Sequence, residues 1–116
     1  MKREGEGELL RIFIGEDDRW DGEPLYEAVM QRALDKGLAG ATVLRGMEGF
    51  GAHSRMHTPH ILRLSEDLPI VIEIVDKPDN IEEFIPELDE MVQEGMITRE
   101  KVHITAYRSG ESGEEN

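Results

Sequence analysis

The sequence has 116 residues, no cysteine and a formal net charge of −13, from 13 Lys plus Arg against 26 Asp plus Glu. That length suits one domain with a modest core that needs no metal or disulfide staples. Disulfides, thiolate zinc sites and cysteine nucleophiles are excluded, the acidic field opposes nucleic acid as a partner, and no apolar stretch approaches the ~20 residues of a membrane span.

The opening MKREGEGELL is charged and lacks the apolar h-region of a secretory signal, so a cytoplasmic location is expected. Leu10, Ile12 and Ile14 alternate with Arg11 and Phe13 up to Gly15, which predicts a strand over 9–14. After the acidic turn EDDRWDG, Pro24 suits a first helical turn. Leu25, Val29 and Ala33 then recur every four residues until Lys36 and Gly37 supply a stop. Ala41 to Leu44 reads as a second strand running into the glycines of RGMEGFG. The clearest strand is Leu68 to Val75, with Ile70, Ile72 and Ile74 on one face and Val71, Glu73 and Val75 on the other. Asp76, Pro78 and Asp79 open a helix carrying Ile81, Phe84, Ile85, Leu88, Met91 and Val92 that Gly95 closes, and Pro86 is expected to kink it or delay its regular part. Val102, Ile104 and Ala106 alternate as a last strand.

The order β-α-β-β-α-β is the split β-α-β, or ferredoxin-like, α+β pattern. Short right-handed connections give an antiparallel sheet with both helices on one face. The expected organisation is a flexible segment over 1–8, one domain over 9–108 and a flexible acidic tail over 109–116. Leu9, Phe13, Val71 and Val75 would lie on the sheet face away from the helices. That face is too apolar for water on so small a domain, so a closed oligomer is expected.

Charge is unevenly spread. Residues 66–94 hold eleven acids and one base, Lys77, whereas 45–65 set Arg45, Arg55 and Arg63 against Glu48 alone, and 95–108 set Arg99, Lys101 and Arg108 against Glu100. In the expected topology the segments 15–22, 45–67 and 94–101 emerge at one end of the sheet, gathering most of both basic islands there as an anion site. The segment from Arg45 to Ser65 is too long for a hairpin turn, and such loops are usually functional. Gly46, Gly49 and Gly51 would let backbone amides approach a ligand. RGMEGFGA matches neither GxGxxG nor GxxxxGK[ST], so Rossmann and Walker chemistry are unsupported. The same glycines would equally serve to bend a strand out of the sheet.

Competing motifs are weaker. GFG at Gly49 to Gly51 is a fragment of an RNA-recognition sequence, but Ala52, His53 and Ser54 replace its apolar residues. His53, His57 and His60 have helical ligand spacing, though Gly49, Gly51 and Pro59 oppose a regular helix, so a metal site is the alternative reading. Asp17, Asp21 and Gly22 echo a calcium loop, with Arg19 and Ala28 at two ligand positions. No nucleophile elbow or poised carboxylate pair is visible, so no catalytic residues and no enzyme activity are expected.

Taken together, IFIGEDDRWDGEPLYEAV, GLAGATVLRGMEGFGAHSRMHT, LSEDLPIVIEIVDKPDNIEEFIPELDEMV and EGMITREKVHI resemble a family of small proteins of unknown function called PII-like, after the nitrogen-regulatory PII signal proteins. The resemblance implies a ferredoxin-like homotrimer that binds an adenine nucleotide (AMP, ADP or ATP, with or without Mg) in clefts between subunits. It also implies a loop after the second strand that responds to ligand and engages a protein target, here over 45–65. Two loops hold the nucleotide in PII proteins. The first maps to Arg45 through Gly51. The second maps to EGMITREKVHI, where Lys101 matches its lysine but Thr98, Arg99 and Glu100 replace its glycines. That departure impairs a backbone cradle for a triphosphate, so a monophosphate, diphosphate or cyclic nucleotide fits as well as ATP. The tyrosine that PII loops carry for uridylylation is also missing. The nucleotide-site set is therefore Arg45, Gly46, Gly49, Phe50, Gly51, Arg55, His57, Lys101 and Arg108, with Arg45, Arg55 and Lys101 as the phosphate cations. The alternative function is that of a divalent-metal-binding trimer like the tolerance proteins of similar fold, using the loop histidines.

Overall fold

Apolar alternation at every second residue builds the centre of the sheet. The computed structural model describes residues 4–50 and 67–110. Strand β1 (Gly5–Gly15) is flanked by β5 (Pro69–Asp76) and β6 (Met96–Ile104), both antiparallel to it, and β4 (Ala41–Arg45) pairs with the outer side of β5. The order β4-β5-β1-β6 is that of two interlocked split β-α-β units. Helix α1 (Leu25–Asp35) follows β1, and α2 (Pro78–Met91) joins β5 to β6.

One face of the sheet carries the core. Leu10, Ile12 and Ile14 of β1 and Ile70, Ile72 and Ile74 of β5 are buried against Leu25, Ala28, Val29 and Ala33 of α1 and Ile81, Phe84, Leu88 and Met91 of α2. Apolar residues four apart put one stripe of each helix on this face. Arg32 of α1 and Lys36 at its C-cap both bond Glu87 of α2, which fastens the helices to each other. Asp76 is wholly buried at the end of β5. It accepts from the Lys77 N–H at 2.7 Å, the Asn80 side-chain amide at 3.0 Å and, across the fold, the Ala39 N–H at 2.8 Å, so it ties the start of α2 to the chain entering β4.

Several boundaries differ from the sequence expectation. β1 begins at Gly5 rather than Leu9, so residues 5–8 belong to the sheet and not to a flexible segment, because they pair with 101–104 of β6. β6 begins at Met96 rather than Val102. A backbone ladder on an edge strand needs no buried side chain, so the polar run Thr98–Lys101 joins it without apolar alternation. Pro24 is the N-cap of α1 and not part of its first turn. The turn EDDRWDG forms a two-stranded ribbon, β2 (Arg19–Trp20) and β3 (Glu23–Pro24), in which Asp21 and Gly22 have φ of 51° and 86°. Positive φ at both central residues is the requirement of the tight hairpin turn that Asp-Gly favours. Helix α2 runs through Pro86, whose ring lies on its exposed side.

Candidate functional site: the sheet end around Arg45

β1 and β4 finish, and β5 and β6 begin, at the same end of the sheet. Arg45 is the last residue of β4. Its Nη2 donates to Glu16 Oε2, one residue beyond β1, and more than half of the Arg45 side chain remains exposed. The next residue turns onto β5: the Gly46 N–H donates to the Pro69 carbonyl at 2.8 Å. A Cβ at Gly46 would lie 2.8 Å from Pro69 Cγ, and one at Gly49 would lie 3.2 Å from it. A side chain at Gly46 would force the Pro69 ring to shift and one at Gly49 would press on it lightly, a close-approach role and not a positive-φ one. Met47 and Phe50 project from this segment, 91% and 72% exposed.

Further carboxylates are held at the turn that ends β1. The Gly15 N–H donates to Asp18 Oδ2 at 3.0 Å, and the Asp17 N–H donates to Asp67 Oδ1 at 3.1 Å. On the helix side of the same end, a recess of about 490 Å³ opens between the β2–β3 ribbon and the C-terminus of α2, with Trp20, Leu25, Met91 and Gln93 among its walls.

Among the described residues, the cations of the two basic islands do not converge here within one chain. Met96 lies opposite Phe13 but Lys101 lies opposite Glu8, five residues along β6, which places it about 17 Å from the loop end of the sheet. The expected gathering of 94–101 at one end is corrected for the same reason that moved the strand boundary: these residues are ladder and not loop. Arg99 is turned to the helix side, where its guanidinium bonds Glu8 at 2.8 Å and Glu82 of α2 at 3.0 Å, and those two carboxylates hold its pKa above the ordinary arginine value. Arg108 lies at the opposite end of the sheet. The neighbouring Tyr107 donates its backbone N–H to Glu4 and its hydroxyl to the Ala39 carbonyl at 2.9 Å. Gly51, Arg55 and His57 of the expected set, with His53 and His60, lie outside the described residues. Among the described residues no group of three or more His, Asp or Glu is placed to hold a metal ion.

The second sheet face is apolar, as its alternation predicts. Leu9 and Phe13 of β1 stand opposite Val75 and Val71 of β5, and Leu44 and Met96 extend the patch on either edge. Phe13 and Val75 are each 37% exposed, Leu44 48% and Met96 58%. One charged cluster interrupts it: Arg11 bonds Glu73 at 3.0 Å and approaches Glu100 at 3.6 Å.

Sequence reasoning missed the Glu16–Arg45 pair, the Arg11 cluster and the reach of Asp76 to Ala39. The pairs span 29, 62 and 37 residues, and only the strand register brings them together. The Asp-Gly dipeptide was the available signal for the ribbon.

This architecture, one antiparallel four-stranded sheet with two helices on a single face and an open apolar face behind, is that of the PII-like ferredoxin-like proteins. The chain belongs to the DUF190 family, whose model, described as an uncharacterized ACR, matches residues 7–104. A UPF0166 protein of Aquifex aeolicus is 38% identical over 96 residues, covering 83% of this chain and 90% of that one. A UPF0166 protein of Methanocaldococcus jannaschii is 35% identical over 97 residues, covering 83% and 89%. Among solved structures, CPII of Thiomonas intermedia K12 bound to ADP and bicarbonate superposes with a TM-score of 0.56 at 17% identity, covering 87% of this chain and 90% of that one. The same protein bound to ADP, AMP and acetate gives 0.53 at 16% identity, covering 88% and 91%. At that identity the likeness is one of fold.

Proposed function

We propose that the protein is a non-enzymatic PII-like sensor that binds an adenine nucleotide in clefts between the subunits of a homotrimer and signals through the segment 45–65. The observation that carries the reading is the placement of Arg45 and Gly46 where β4 ends, a half-exposed cation followed by a close-lying backbone, with the exposed ring of Phe50 further along the same segment. A guanidinium suits a phosphate, and an exposed ring suits a purine face. The fold shared with CPII, whose structures contain ADP and AMP, supports the choice of ligand.

A cleft between copies also accounts for the dispersed cations. Lys101 lies about 17 Å along β6 from the loop end, so it reaches Arg45 only from a neighbouring chain. The apolar face of Leu9, Phe13, Val71 and Val75 supplies surface for that neighbour to cover. The test is thermal unfolding with AMP, ADP, ATP and adenosine for the parent and Arg45→Ala. The nucleotides should raise Tm by several degrees at one hundred times Kd, equivalent to about 2.7 kcal/mol per site. Adenosine should do much less, and Arg45→Ala should remove most of the gain. Equal stabilisation by adenosine, or an unaffected Arg45→Ala, would overturn the reading.

A further inference from the structure

We propose that Glu16 is the residue through which this end of the sheet selects its anion: its carboxylate occupies Arg45, and a phosphate binds by displacing it, the more readily the fewer charges that phosphate chain carries. The inference rests on the nucleotide reading above and adds a competitor and a charge preference to it.

Glu16 is well placed for that role. Its N–H donates to the Leu68 carbonyl at 2.8 Å, which fixes it where β1 ends beside the start of β5. Its side chain is 23% exposed against 57% for that of Arg45, so the carboxylate is the anchored partner and the guanidinium the part open to solution. Any anion that reaches Arg45 therefore meets a donor already engaged. It also meets the surrounding field. Asp67 is held to the Asp17 N–H and Asp18 to the Gly15 N–H, so the carboxylates of Asp18 and Asp67 are fixed at the same turn that carries Glu16.

Such charges act over roughly a Debye length, about 8–10 Å at ordinary ionic strength. A triphosphate brings about twice the charge of a monophosphate into that field, so repulsion falls more heavily on ATP than on AMP. Mg²⁺ bound to the triphosphate neutralises part of the difference. The predicted order without divalent metal is AMP tighter than ATP, with the gap narrowing when Mg²⁺ is added.

The experiment is calorimetric titration of the full chain with AMP and with ATP, in EDTA and then in Mg²⁺. It uses the parent, Glu16→Gln, Asp67→Asn and, as an equal change of net charge on the exposed face of α2, Glu83→Gln. An exposed ion pair contributes up to about 1 kcal/mol, a factor of about five in affinity. Glu16→Gln should therefore tighten AMP by roughly threefold and ATP by more than fivefold in EDTA. Asp67→Asn, which keeps an oxygen for the Asp17 N–H, should shift the AMP-to-ATP ratio in the same direction by less, and Glu83→Gln should leave it unchanged. Melting curves verify that each variant folds. Parent binding that Glu16→Gln leaves unchanged, or tightens equally for both nucleotides, overturns the role of Glu16 while the nucleotide reading stands. No binding by any of the four chains overturns both.

Discussion

Replacing Asp76 with alanine should be among the most damaging single changes on the helix side of the sheet. The carboxylate is wholly buried and accepts from Lys77 N–H, the Asn80 amide and Ala39 N–H at 2.7, 3.0 and 2.8 Å. Hydrogen bonds to a charged group contribute about 1.5–3 kcal/mol each. The variant leaves those donors without an acceptor at about 1–3 kcal/mol each, so a net loss of about 3–5 kcal/mol is expected. Against a total of about 6–17 kcal/mol for 116 residues, that is a large fraction. At about 4 °C per kcal/mol for a domain of this size, Tm should fall by roughly 10–20 °C. The assay is thermal unfolding followed by circular dichroism at fixed protein concentration, with Asn80→Ala as the comparison. That second variant removes one bond and should cost about 1 kcal/mol. If Asp76→Ala melted within about 4 °C of Asn80→Ala, the scale of one bond, the carboxylate would not be the tie between the α2 start and the β4 entry.

Three further outcomes follow from particular contacts. Gly95→Ala should destabilise by about 2–5 kcal/mol in denaturant unfolding, because Gly95 has φ of 139° and its Cβ would sit 2.4 Å from the Phe13 carbonyl oxygen; a loss below 1 kcal/mol would contradict this. Phe13→Glu, at the centre of the open apolar patch, should abolish the proposed trimer in sedimentation velocity at micromolar concentration. A variant that still sediments as three copies would show that this face is not the interface. The bonds from Arg32 and then Lys36 hold the Glu87 carboxyl below the usual carboxylate range. A depressed folded pKa contributes stability above the unfolded value that is lost as pH falls through the folded one. Glu87→Gln should therefore melt below the parent at neutral pH and together with it in acid; a gap that persisted in acid would refute the assignment.

How much of this was legible in the sequence depended on whether a residue's role is fixed by its own neighbours. Ile70, Ile72 and Ile74 announce a strand because one face must be buried, and the structure buries all three. Leu9, Phe13, Val71 and Val75 were legible as a second apolar face for the same reason. The run Thr98–Lys101 was read as loop because its strand character comes from the ladder with residues 8–11, a partner some ninety residues away. That one misreading displaced Lys101 by the length of half a strand and put it at the end of the sheet that carries Arg45, a placement the register undoes. Gly46 and Gly49 were weighed both as a ligand cradle and as glycines that bend the chain out of the sheet. Their close approach to Pro69 gives them a packing role, which only the fold could reveal. Glu16, within the acidic turn, takes its role from the end of β4 beside it, a neighbour that only the fold supplies.

Native mass spectrometry of the intact protein, titrated with AMP and with ADP, tests most directly the claim that an adenine nucleotide binds between copies of this chain. The account predicts an assembly of three chains carrying up to three nucleotides, and Phe13→Glu monomers carrying none. Monomers that bind nucleotide as well as the assembly does, or a trimer that takes up neither AMP nor ADP, would contradict it.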